Sequence, residues 1–239
     1  MFTFNTNGDQ FKLEGDSMKT KITLLALMLL SFFIVSNCSR DKSIIAYYRT
    51  VNESDTLVVK KPNIYIYPEQ EENLIIKVLF PRGGSITVSE PLYNEGWHIS
   101  VKPSGIIDNE FRYLFYECNV PHYFQTHEGW VVPRNELEMF FRDNMKEYGF
   151  NETEIDDFTE YWIPKLKEYE YYYIYPQTSD IINQLVELQF SKEPESTLRL
   201  YYLFKGVNTA EIGYMQTASI SRFTRKGFTV VEWGGMILE

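Results

Sequence analysis

From Leu74 to Trp233 the apolar positions recur mostly every second residue, and a single stretch of helical spacing interrupts them. Leu74-Ile75-Ile76-Lys77-Val78-Leu79-Phe80 is a dense apolar run closed by Pro81 and the Gly83-Gly84 turn. Ser85 to Ser89 alternates, and so do Ile99 and Val101 ahead of Pro103-Ser104-Gly105. Phe111 to Glu117 places Phe111, Tyr113 and Phe115 on one face. After the interruption the alternation resumes in four places. These are Tyr171–Tyr175, the set Val186, Leu188 and Phe190, the set Leu198, Leu200, Tyr202 and Phe204, and finally Phe228–Trp233, closed by Gly234-Gly235. A period of two is the signature of a strand with one buried face, because successive side chains leave a strand on opposite sides. Short strands separated by Gly and Pro turns predict a mostly β, α+β fold: an antiparallel sandwich or barrel-like domain.

The interruption, at about 135–168, predicts an αα-hairpin inserted into the sheet sequence. Leu137, Phe140, Phe141 and Met145 share one helical face, with Asn135 as cap and Gly149 placed to end the helix. Asn151 and Glu154 have the spacing of a capping box for a second helix, whose face carries Ile155, Phe158, Trp162 and Leu166. Trp162 is therefore expected to be buried. Pro164 should stop this helix near Ile163, since a proline lacks the N–H that the ladder needs.

The N-terminal region has a different pattern. Ile22 to Val35 is apolar throughout, with no polar face. It follows Lys19 and Lys21 and ends in Val35-Ser36-Asn37-Cys38. A basic n-region, a short apolar run and small or polar residues before a cysteine read as an export signal cut to leave a lipidated Cys38. The run is shorter than the ~20 residues that span a bilayer, and an uncleaved anchor helix is the competing reading. Residues 1–17 carry Asp9, Glu14 and Asp16, the wrong charge for the start of a signal. Glu14 to Met18 can be encoded with a purine-rich ribosome-binding sequence just before Met18, so 1–17 is expected to be a mis-assigned start. The chain then divides into a signal peptide (18–37), a polar tether (38–60) and one β-rich domain (61–239).

Charge and composition narrow the partners. The formal net charge is −10, and the segment to Asn37 balances Lys12, Lys19 and Lys21 against its three acids, so the charge belongs to the exported part. Nucleic acid is excluded, because phosphate binding needs clustered Lys and Arg. Membrane attachment would come through the N-terminal lipid rather than through anionic headgroups. Lipidation of Cys38 leaves Cys118 as the only thiol of the domain and rules out an intramolecular disulfide.

Candidate chemistry is sparse. No P-loop, dinucleotide fingerprint, zincin motif or nucleophile elbow is present, and no cofactor is implied. His122, His127 and Glu128, with Cys118 nearby, are the only metal-ligand types in a cluster. Their spacing fits neither a helix nor a strand pair, so no metal site is assigned. Glu117 and Glu232 each lie beside large apolar residues. They are the weak candidates for a catalytic carboxylate pair, in which one has a raised pKa and acts as acid. Aromatic area is abundant, with 16% Phe, Trp and Tyr. Tyr93, Trp97, Trp130 and Trp233 flank turns or strand ends and are the ligand-binding candidates, since planar rings can stack on sugars or grip a peptide.

Several elements agree, in order, with one family. Lys61-Pro62-Asn63-Ile64-Tyr65-Ile66-Tyr67-Pro68-Glu69 resembles its opening. Tyr93-Asn94-Glu95-Gly96-Trp97, Lys102-Pro103-Ser104-Gly105 and Tyr113-Leu114-Phe115-Tyr116-Glu117 follow. Asp157 to Pro164 and the ending Gly227 to Gly235 complete the pattern. This is an uncharacterised family of exported bacterial proteins and lipoproteins. The resemblance spans Lys61 to Gly235 and implies export; it carries no activity or catalytic residues. Glu117 and Glu232 both fall inside its elements.

The expectation is a lipid-anchored protein of the cell envelope, its domain outside the cytoplasm, with a binding or structural role toward a glycan or protein ligand. The alternative is a polysaccharide hydrolase of the envelope or extracellular space, working through Glu117 and Glu232.

Overall fold

A computed structural model describes residues 56–210 and 215–238. Cys38, the 1–17 segment, the 18–37 signal and most of the 38–60 tether lie outside the described residues. The domain is mostly β, with two sheets in an open sandwich and a helical hairpin on the outer face of the larger one.

The strands, in chain order, are β1 (Thr56–Tyr67), β2 (Glu72–Leu79), β3 (Ser85–Glu90), β4 (Trp97–Val101), β5 (Leu114–Pro121) and β6 (Glu128–Pro133). They continue with β7 (Tyr171–Thr178), β8 (Glu187–Phe190), β9 (Ser196–Val207), β10 (Gln216–Thr217) and β11 (Thr229–Leu238). The helices are α1 (Leu137–Tyr148), α2 (Glu152–Trp162) and α3 (Ser179–Leu185). The large sheet has the order β10-β6-β7-β9-β11-β1-β5-β3, and the small one β4-β2-β8. Strand β1 starts at Thr56 with Val59 fully buried, so the domain begins five residues before the Lys61 boundary read from sequence.

Alternation divides the large sheet into two working faces. Ile64, Ile66, Leu114, Tyr116, Val230 and their neighbours face the small sheet, where they meet Leu74, Ile76, Trp97 and Ile99. Tyr65, Tyr202, Phe204, Val231 and Trp233 face the hairpin, where they meet Phe141, Met145, Phe158 and Trp162. Trp162 is fully buried, as its helical face predicts. Two of the hairpin caps, Gly149 and Asn151, also follow the sequence. Gly149 ends α1 at φ 115°, a left-handed turn that only glycine adopts without strain. Asn151 and Glu154 close a reciprocal capping box on α2, and α2 stops at Trp162 before Pro164.

Three features differ from the sequence pattern. First, the long central pair β9–β11 runs parallel, so the sheet is mixed. Alternation within a strand carries no information on the direction of its neighbour. Second, Gly234-Gly235 does not end the last strand, which continues to Leu238. A Cβ on Gly235 would lie 2.5 Å from the Trp162 indole, and one on Gly234 would lie 3.0 Å from the Tyr201 ring. The pair makes room for large aromatics on both faces at once. Third, Asn135 sits in a short 3-10 turn (Arg134–Glu136) that precedes α1.

Candidate functional site

The two candidate carboxylates stand on strands of one sheet, β11 and β5, with β1 between them, and do not meet. Glu232 on β11 is fully buried between the sheets. It stands opposite Arg199 in the parallel β9 register, and Arg199 Nε donates to its Oε2 at 2.5 Å. Its Oε1 receives the hydroxyls of Tyr116 and Tyr201 at 2.8 and 2.9 Å, and those hydroxyls are themselves 2.9 Å apart. Arg199 spends Nη1 on Asn183 Oδ1 and on the Val186 carbonyl. Burial works against the Arg199 charge, but the adjacent Glu232 carboxylate holds the guanidinium pKa above its usual value. Burial, then the Glu232 charge, pushes both phenols well above the normal tyrosine range, so they remain donors. This is a closed, satisfied network with the geometry of a structural ion pair.

Glu117 corrects the paired-carboxylate expectation. It follows Tyr116 on β5, and since Tyr116 reaches Glu232, alternation sends Glu117 to the opposite face. There it is half-buried on the hairpin side. Burial lowers the pKa of Lys61, against the opposing charges of Glu90, Asp157 and Glu117, and the Lys61 ammonium lies 4.0 Å from the centre of the Phe115 ring. Two carboxylates on opposite faces of one sheet cannot flank a glycosidic bond.

Two of the four aromatic candidates are buried in the core, and a third packs against it. Trp97 is buried between the sheets, with Nε1 donating to the Pro91 carbonyl at 2.8 Å. Tyr93 packs edge-on against it at 4.9 Å and accepts from the Val78 amide. Trp233 is fully buried under the hairpin beside Phe158. Trp233 flanks no turn in the structure, since β11 runs on through Gly234-Gly235 to Leu238.

Trp130 is the exception. It sits half-buried on β6 and lines a groove of about 800 Å³ between α1 and the β6–β10 end of the large sheet. Trp130, Met139, Phe140, Met215 and Ile220 give the groove its apolar surface, and Met139 is 64% exposed. The helical wall is a single stripe, with Glu136, Met139, Phe140, Asp143, Asn144 and Glu147 at successive steps of three and four. Among the described residues, none of its three carboxylates has a basic partner. On the outward side of the hairpin, Glu138 and Asp156 bind Arg142 while Glu152 binds Lys146. The negative field also reaches Tyr148, whose pKa is pushed up to about 12 by burial, then by Glu128 and Glu147. Asn144 is 6% exposed, and its Oδ1 takes the Tyr202 hydroxyl at 2.6 Å.

A smaller hollow of about 270 Å³ has Arg199, Asn183 and Thr197 in its wall, but the arginine there is already paired. The Cys118 thiol points into the core between the sheets. Burial, and then the Glu232 charge, raises its pKa above the normal thiol value, which makes it an inert packing group. His127 is exposed in a loop organised by Gln125, which accepts from the His127 and Glu128 amides.

Sequence reading missed Arg199 and Asn144. Arg199 has a signal, a lone cation inside the apolar run Leu198 to Phe204. Asn144 has a weaker one, as an amide on the buried stripe of α1. No protein-family profile, curated protein or solved structure matches this chain.

Proposed function

We propose that this chain is a lipid-anchored binding protein of the cell envelope, held through Cys38 with its domain outside the cytoplasm. In this reading the groove beside Trp130 receives the ligand. The resemblance to exported bacterial proteins supports the location. The observation that carries the binding role is the groove itself. It combines exposed apolar area, an aromatic ring and three carboxylates with no basic partner among the described residues in one concavity of ligand-binding size. The split of Glu117 from Glu232 removes the basis of the hydrolase alternative.

Two measurements test the proposal. Cys38→Ser should move the protein out of the membrane fraction and abolish lipid labelling; retention with the leader attached overturns the anchor. For the groove, thermal shifts are read with envelope glycan fragments and with peptide pools. A ligand that stabilises the native protein should lose its effect on Trp130→Ala. Release of reducing ends from a polysaccharide, abolished by Glu117→Gln, would restore the hydrolase reading instead.

A further inference from the structure

Taking the groove as the ligand-receiving surface, we infer that its occupant is a basic segment of a partner protein, in which Lys or Arg side chains alternate with apolar ones. The argument begins with charge. Glu136, Asp143 and Glu147 face the groove and have no basic partner among the described residues, although Arg142 and Lys146 lie on the same helix. Those two cations are committed to the outward side. The stripe from Glu136 to Glu147 covers eleven steps of about 1.5 Å, roughly 16 Å along the helix. An extended peptide advancing ~3.3 Å per residue would match it with about five residues.

The remaining lining agrees with a peptide better than with a sugar. Trp130 packs against Phe140 at 5.5 Å with a 59° tilt, so part of its ring area is already used and the two rings form no flat platform. Met139 and Met215 offer flexible, polarizable surface of the kind that adapts to apolar side chains. Lysine stems can lie along this surface while their ammonium groups reach the carboxylates. A cation over Trp130 would gain from the ring face as well. Asn144 also stands in the groove wall and carries an amide donor that an oxygen of the occupant would accept. A backbone carbonyl supplies one at every residue.

The test uses a fluorescein-labelled decapeptide of alternating Lys and Leu, its Glu-for-Lys counterpart, and chitohexaose. The Lys peptide should bind by anisotropy, the Glu peptide should not, and binding should weaken as salt rises from ~0.05 to ~0.5 M. Converting the three carboxylates together (Glu136→Gln, Asp143→Asn, Glu147→Gln) should weaken it about tenfold, since each rim charge contributes modestly. The melting temperature should be unchanged, because these side chains hold no ion pair with any described residue. Undiminished binding to the triple variant overturns the inference, as does failure of the Lys peptide to bind. Chitohexaose that binds the native protein, resists the triple change and is lost on Trp130→Ala would overturn the peptide while keeping the groove. If no probe responds to Trp130→Ala, the groove reading fails with it.

Discussion

Two buried glutamates, one on each face of the large sheet, use the same chemistry with different access to water. Glu232 lies between the sheets with Arg199, and the two side chains are 0% and 3% exposed. Glu154 lies under the N-terminal end of α2. It accepts from the Tyr67 hydroxyl at 2.8 Å, from the Asn151 amide at 2.8 Å and from Arg225, whose side chain keeps 30% of its exposure. The first pair closes the inter-sheet core. The second ties a helix to a strand at the rim, where tyrosines of β1 also reach α2 through the Tyr65–Asp157 bond. A charge sealed on all sides is satisfied only by its partners, whereas a charge at a rim can fall back on water. The hairpin face is therefore the more adjustable side, and it is also the side that carries the groove.

The sharpest way to break the comparison is Glu232→Gln. It keeps the shape but leaves the Arg199 charge buried, and it should cost about 3–5 kcal/mol in urea titrations. Arg199→Met combined with Glu232→Leu should recover most of that loss, because the Tyr116 and Tyr201 hydroxyls keep each other at 2.9 Å. A single-variant loss below ~1 kcal/mol would mean that the site is open to water. Retained stability with lost ligand binding would move Glu232 from scaffold to site.

Glu154→Gln should cost less, about 2 kcal/mol, because Arg225 can rehydrate, the Asn151 backbone amide keeps the one remaining oxygen, and the Tyr67 hydroxyl can turn to accept from the new amide nitrogen. The native pair should also respond to salt more than the Arg199 pair does. Equal costs for the two glutamates in the same titration would show that the exposure of Arg225 has no energetic meaning.

What the sequence made legible follows the same division. Strand periodicity, the hairpin, its Gly149 and Asn151 caps and the burial of Trp162 were readable because each depends on neighbours within a few residues. That Glu232, once buried, needs a donor followed from the cost of an unpaired charge alone. The identity of Arg199 did not, because the parallel β9–β11 register that brings it there is a long-range pairing. The aromatic candidates show the same limit. Tyr93, Trp97, Trp130 and Trp233 look alike in sequence, all beside turns or strand ends, and only the path of the chain buries Trp97 and Trp233, packs Tyr93 against Trp97 and leaves Trp130 at a groove. Glu117 and Glu232 were separated by a simple rule, but applying it required knowing that Tyr116 lies against Glu232.

The smallest expected effect concerns the cap that sets the start of α2. Asn151 Oδ1 accepts from the Glu154 amide at 3.0 Å, and its Nδ2 donates to Glu154 Oε1 at 3.0 Å. Asn151→Ala removes both bonds but spares the backbone amide of residue 151, which still donates to Glu154 Oε2. Half of the reciprocal box survives, so the loss should be about 1 kcal/mol, in the middle of the range for N-cap deletions. Asn151→Ser restores an acceptor for the Glu154 amide and should fall within a few tenths of the native value. The same variant must leave the Arg199–Glu232 pair untouched, since α2 and the inter-sheet core lie on opposite faces. Additivity checks this directly. Asn151→Ala combined with Glu232→Gln should equal the sum of the separate costs to within ~0.5 kcal/mol. Combined with Glu154→Gln it should fall short of the sum, because both changes remove the same Nδ2–Oε1 contact. Coupling in the first pair and none in the second would reverse the assignment of rigid and adjustable faces.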